Sequence, residues 1–136
     1  MVSKVRQYFK AADHLLHVTY PLIRDPKLLP AIVTNLAQSI EAALSYLVPK
    51  EDTIQKKINQ LKSQKNIDPE DENLILIIIS LAKFHKKSPV EFSRGDKFII
   101  CDTKFNVRAL NARQLQDYVS QVDNLLSKLE NSKLIK

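Results

Sequence analysis

The sequence predicts a mainly α protein: an antiparallel bundle of four to five helices, with a small β-hairpin before the last helix. Three observations carry that prediction. Apolar residues recur at i, i+3, i+4 and i+7 over most of the chain. The 136 residues include one glycine, too few for the tight turns of an all-β fold. The prolines fall where helices start and stop. Length and composition fit one domain over residues 1–136 with a real core. At 44% hydrophobic and 26% charged, the chain is ordinary for a globular protein and too apolar for disorder.

Ser3 reads as the N-cap of the first helix. Val5, Tyr8, Phe9, Ala12, Leu15, Leu16 and Thr19 then share one helical face. Pro21 predicts an end near Thr19 or Tyr20, because the residue before a proline is pushed out of the α region. Asp25 caps a second helix and Pro26 takes its first position. Pro30 either kinks that first turn or moves the start to Leu29-Pro30. Leu29, Ile32, Val33, Leu36, Ile40, Ala43, Leu44 and Leu47 line the inner face, and Pro49 ends the helix. A short connection predicts antiparallel packing of these two helices.

Asp52 is the expected cap of a weaker third helix with a narrow stripe of Ile54, Ile58 and Leu61. A loop follows at Asn66 to Asp68, and Pro69 starts the fourth helix. Glu70, Asp71 and Glu72 occupy its first turn, where the helix dipole favours anions. Lys83, His85, Lys86 and Lys87 occupy the other end, where it favours cations. Leu74 to Leu81, LILIIISL, reads as buried on most faces, and Pro89 closes the helix. Two β-prone runs flank Asp102-Thr103 and predict a hairpin at about 96–110, in which Phe98 and Ile100 alternate with Ile99 and Cys101. An isolated ribbon is marginal in water, so its apolar side should pack on the helices. Asn111 caps the last helix, whose stripe is Leu115, Tyr118, Val119, Val122, Leu125, Leu126 and Leu129. The tail at about 131–136 is expected to fray.

Several function classes are excluded. The longest apolar run is far short of the ~18 residues of a membrane span, so no membrane partner is expected. The N-terminal VSKVRQYFKAADH is charged too early for a signal peptide. One cysteine, Cys101, rules out an internal disulfide and a cysteine-rich zinc site, and fits the reducing cytoplasm. Gly95 is the sole glycine, which excludes a glycine-rich phosphate loop. No cofactor motif and no metal site is found. Cys101 has no activating base in the sequence, so no catalytic residue is assigned to it.

Two constellations remain. Asp13, His14, His17 and Tyr20 form a possible polar site: Asp13 and His17, at i and i+4, can touch, and a carboxylate that fixes a histidine's tautomer is what acid–base chemistry needs. A structural role at the helix end accounts for the same residues, as a polar flank satisfied by local hydrogen bonds. The second constellation is basic. Lys83, Lys86, Lys87, Arg94 and Lys97 surround Pro89, with Phe84 and Phe92 among them. Leu74 to Arg108 carries seven Lys/Arg against three Asp/Glu, an excess of +4 within a chain of net charge +6. Such a patch neutralises phosphates, and an exposed aromatic stacks on a base. Helix-dipole compensation plus two core phenylalanines is the plainer explanation. The leading expectation is a non-enzymatic binding module for RNA or a ribonucleoprotein. The alternative is a protein–protein or homodimer contact through the third helix and the hairpin edge at 104–110. A third is an enzyme using Asp13 and His14.

The segments ADHLLHVTYPLIRDPKLLPAI and HKKSPVEFSRGDKFIICD, with the last amphipathic helix, resemble a family of small archaeal proteins with no assigned activity. The resemblance runs from about Arg6 to Leu129 and includes Asp13, His14, Thr19, Tyr20, Pro21, Asp25, Ser88, Pro89, Glu91, Phe92, Lys97 and Phe98. It implies a helical bundle and an archaeal, cytoplasmic origin. In outline the bundle is also similar to HEPN-type domains, which are often RNases or RNA-binding partners of nucleotidyltransferases. Their nuclease motif places a histidine four to six residues after an arginine. Here seven residues separate Arg6 from His14, and no histidine follows Arg24, Arg94, Arg108 or Arg113 within reach. The resemblance therefore implies a HEPN-like outline without the nuclease site.

Overall fold

A computed structural model describes residues 2–131. The expected fraying at 131–136 lies outside them, apart from Asn131 itself. The chain is mainly helical, with five helices of two turns or more and a small three-stranded antiparallel sheet. In chain order the elements are α1 (Val2–His14), a π-helical segment (Leu15–Thr19), the single turn α2 (Tyr20–Ile23), a 3-10 turn (Pro26–Leu28), α3 (Leu29–Leu47), α4 (Ile54–Ser63) and α5 (Pro69–Lys87). The strands β1 (Val90–Arg94), β2 (Lys97–Cys101) and β3 (Val107–Leu110) follow, and α6 (Ala112–Glu130) ends the described chain.

The long α3 is the centre. It packs against α1, α4, α5 and α6. Leu29, Ile32, Leu36, Ile40 and Leu44 are all fully buried on it, at the helical spacing read from the sequence. Each such side chain contributes roughly 1.5–3 kcal/mol relative to exposure. The ion pairs at the periphery are weaker by comparison. Arg6 of α1 reaches Asp123 at 2.9 Å and Glu130 of α6, and Lys128 reaches Asp71 at 2.6 Å, but these groups are partly solvated and worth at most about 1 kcal/mol each. Burial on α3 therefore dominates, and the ion pairs set how α6 sits on α1 and α5.

Several boundaries differ from expectation. Ser3 lies inside α1 rather than capping it. Pro21 does not stop the first helix. The backbone widens to a π-helix over Leu15–Thr19, with Tyr20 N–H donating to the Leu15 carbonyl, and then continues through Pro21 to Ile23. A wider turn relieves the proline ring's clash with the carbonyl four residues back, and the missing N–H is absorbed there. The helix ends instead at Arg24, in the left-handed region at φ 56°. Asp25 does cap, accepting from Lys27 N–H at 3.0 Å, but the helix it opens is the short 3-10 turn. α3 starts at Leu29-Pro30. Thr53, not Asp52, caps α4 by accepting from Lys56 N–H, while Asp52 pairs with the Lys56 ammonium at 3.2 Å. Asp68 caps α5 through a reciprocal box with Asp71, and Asn111 caps α6.

The expected hairpin is a meander of three strands. The added strand is β1, between Pro89 and the hairpin expected from about residue 96. Val90, Glu91, Phe92, Ser93 and Arg94 pair in register with Cys101, Ile100, Ile99, Phe98 and Lys97. Gly95 takes φ +62° at the first turn position, which a two-residue hairpin requires and a glycine supplies without strain. On the other side Phe98, Ile99, Ile100 and Cys101 face Leu110, Ala109, Arg108 and Val107. Phe98, Ile100 and Leu110 are buried against the helices. Among the described residues no helix is long and apolar enough to cross a membrane.

Candidate nucleic-acid interface

The candidate site begins where α5 meets the sheet. Acidic residues at the first turn of α5 and basic ones at its last follow the helix dipole. Pro89 cannot continue the helix, and Ser88 turns extended. The Ser88 hydroxyl lies 2.9 Å from the Val90 carbonyl and 2.6 Å from the Cys101 carbonyl, fastening the helix end to the start of β1 and the end of β2. His85 Nδ1 lies 2.5 Å from a carboxylate oxygen of Glu91, a second fastening between α5 and β1. Arg108 of β3 closes the same junction, its guanidinium 5.4 Å from the centre of the Phe84 ring.

This junction leaves the lysines outside. Lys83, Lys86 and Lys87 are exposed on the last turns of α5. Arg94 and Lys97 are exposed and directly opposite one another across the β1–β2 turn. Among the described residues none of these five makes an ion pair, whereas Arg6, Lys56, Lys62 and Lys128 are all engaged by carboxylates. The five do not form one cluster. The α5 group and the Arg94–Lys97 pair lie at opposite ends of β1, about 13 Å apart for four extended residues. Lys83, His85 and Lys86 also line a groove of about 450 Å³ between α3 and α5, with Thr34, Gln38 and Glu41 opposite.

The two phenylalanines separate. Phe84 packs on the core beneath Arg108. Phe92 is 45% exposed on the other face of the sheet. Strand register explains why: partners across an antiparallel pair share a face, so Glu91, Ile100 and Arg108 point with Phe98 and Leu110 toward the helices. Val90, Phe92, Ile99, Cys101, Val107 and Ala109 share the outer face, with Arg94 and Lys97 at its end.

At the other end of that face, Asp102 organises the β2–β3 loop. Its carboxylate accepts from the Lys104 and Asn106 backbone N–H groups, each at 2.8 Å, and from the Asn106 side chain at 2.9 Å. The side-chain bond from Asn106, joined by those backbone bonds, holds the Asp102 carboxyl below its usual value against the opposing effect of desolvation. The same loop presents Phe105 at 89% exposure with φ +64°.

The polar residues of the first helix are less convergent. Asp13 and His17 do pair, at 2.9 Å, and His17 Nδ1 also lies 3.2 Å from the Asp13 carbonyl. Both side chains are about half exposed, at 50% and 52%. His14 is exposed, and Tyr20 packs half-buried against the core. Among the described residues no group of three or more His, Cys, Asp or Glu gathers to hold a metal ion.

Sequence reading missed β1, the His85–Glu91 pair and Phe105. A signal for β1 existed: Val90 and Phe92 alternate with polar residues and Gly95-Asp96 supplies a two-residue turn. No family model matches the chain, and no curated protein or solved structure does either.

Proposed function

We propose that the chain is a binding module for nucleic acid, RNA in the first place, on a cytoplasmic helical-bundle scaffold. The observation that carries this reading is the grouping of exposed cations without carboxylate partners around one helix–sheet junction, Lys83, Lys86 and Lys87 at the end of α5 and Arg94 and Lys97 at the β1–β2 turn. At the end of α5 and at the β1–β2 turn, they offer two clusters of positive charge to a phosphate backbone. The net charge of +6 adds a favourable long-range field. The half-exposed Asp13–His17 pair then serves the helix end, bracing the π-helical segment.

Salt dependence tests the reading. If all five cations contact phosphates, log K against log salt has a slope of about −3.5 for a single strand, roughly a hundredfold loss between 50 and 200 mM. Reversing Lys86 and Lys87 to Glu should flatten that slope and weaken binding at low salt. An RNA oligonucleotide that shows no binding at low ionic strength refutes the proposal.

A further inference from the structure

We infer that the outer face of the sheet is a platform for unpaired bases, with Phe92 and Phe105 as its stacking rings, so that the ligand is single-stranded rather than duplex. This rests on the nucleic-acid reading above and specifies its ligand. Two features of the structure lead to it. The outer face is apolar along all three strands, through Val90, Phe92, Ile99 and Val107, although it faces solvent. An exposed apolar face of this kind marks a binding surface. The second feature is Phe105. A bulky residue at φ +64° is a backbone outlier, and a ring 89% exposed gains nothing from burial in return. Three hydrogen bonds to Asp102 and the Phe105 N–H bond to the Asp102 carbonyl, at 3.2 Å, over-determine the loop that holds it there.

Charge identifies the occupant. Each ring sits beside cations: Phe92 two residues from Arg94, which faces Lys97, and Phe105 next to Lys104, whose charge is shared with the Asp102 carboxylate of the same loop. Side chains two apart on a strand are about 6.6 Å apart along it, so a base on Phe92 has its flanking phosphate within reach of Arg94 and Lys97. Ring and cation side by side is the arrangement that tracks a single strand, with the base face on the aromatic and the backbone on the cation. A duplex keeps its base faces stacked internally and has none to offer the rings. A second copy of this chain fits poorly. Docked face to face with like ends together, it would set Arg94 and Lys97 against their own copies.

The test compares a single-stranded oligouridylate and a duplex RNA of equal length, with 2-aminopurine in the single strand to report stacking. Single-strand binding should quench or enhance the probe. Phe92→Ala and Phe105→Ala should each lower single-strand affinity at least about fivefold and leave duplex affinity and the salt slope unchanged. Phe92→Trp and Phe105→Trp should restore binding, and indole fluorescence should respond to the oligonucleotide. Circular dichroism establishes that the variants fold. If the alanine variants bind the single strand as well as the parent does, with the salt dependence intact, the platform is refuted and the electrostatic reading survives. If the parent binds neither RNA at low salt, the nucleic-acid reading has failed and the platform with it. If light scattering shows a dimer that Phe92→Ala dissociates, the face is a self-interface and the inference is overturned.

Discussion

At the scale of single residues, two side chains make opposite predictions about stability. Ser39 is fully buried on α3, and its hydroxyl has no hydrogen-bond partner among the described residues. A buried, unpaired hydroxyl forfeits its water bonds for nothing, whereas a methyl in its place loses only one atom of packing. Ser39→Ala should therefore raise stability by about 1 kcal/mol and the midpoint of thermal unfolding by roughly 3–5 °C. A drop instead would mean the hydroxyl has a role in packing. Asp102 works the other way. Its carboxyl is held below the usual aspartate value of 3.8, first by the Asn106 side-chain bond. A depressed carboxyl contributes order that is present above the unfolded value and lost as pH falls through the folded one. Acidification below about pH 4 should accordingly free the 102–106 loop before the helices respond, read as faster amide exchange at Lys104 and Asn106. Asp102→Ala should produce the same loosening at neutral pH.

At the scale of elements, the junction between α5 and β1 is held by side-chain bonds rather than by a broad packed face. Two side-chain bonds cross it, from His85 and from Ser88, with Arg108 over Phe84 beside them. The His85–Glu91 contact is partly solvated, so replacing Glu91 with Gln should cost about 1 kcal/mol rather than the 3–5 of a fully buried pair. Urea unfolding measures it, and a cost near zero would show that Ser88 alone suffices. The junction also explains what could be read from the sequence. Helix faces and two of the caps were legible because they are local: Leu29 to Leu44 repeats at helical spacing, and Asp25 and Asn111 each bond an N–H two or three residues away, whereas Ser3 lies inside α1, Thr53 displaces Asp52 as the cap of α4, and the Asp68 cap lay in a segment read as loop. His85 and Glu91 are six residues apart across a proline, and only the paired sheet brings them together. In β2 both alternating sets are apolar, Phe98 with Ile100 and Ile99 with Cys101, so period alone cannot say which face is inner. The end of α1 was misread for a different reason: the proline rule assumes α geometry, and the chain changes to π-helix before Pro21. The five candidate cations were legible as exposed charge, but their division between the two ends of β1 depends on that strand existing.

At the scale of the whole molecule, the question is whether the sheet unfolds with the helices or before them. A three-stranded meander on its own is near the limit of stability, and its two edge strands are open to water. Yet Phe98, Ile100 and Leu110 belong to the same cluster of buried residues as α1, α3, α4, α5 and α6. Ile100 is fully buried on the middle strand. Truncating it leaves a cavity in that shared core, at a cost of about 2–5 kcal/mol against a total of about 5–15 for a domain of ordinary stability. If the core is one cooperative unit, Ile100→Ala should lower the urea midpoint by the same amount whether unfolding is followed by far-ultraviolet circular dichroism, dominated by the helices, or by the near-ultraviolet signal of its tyrosines and phenylalanines. Leu36→Ala on α3 should act alike, because α3 and the sheet then share one transition. A sheet held mainly by its fastenings to α5 would behave differently. Ile100→Ala would split the curve, releasing strand amides at low urea while the helical signal stayed at its parent midpoint. Native-state hydrogen exchange distinguishes the two, since a cooperative sheet protects the Ile100 amide to nearly the global free energy and a separable one does not. The expected outcome is the single transition: the apolar inner face of the sheet closes the same core that α3 organises.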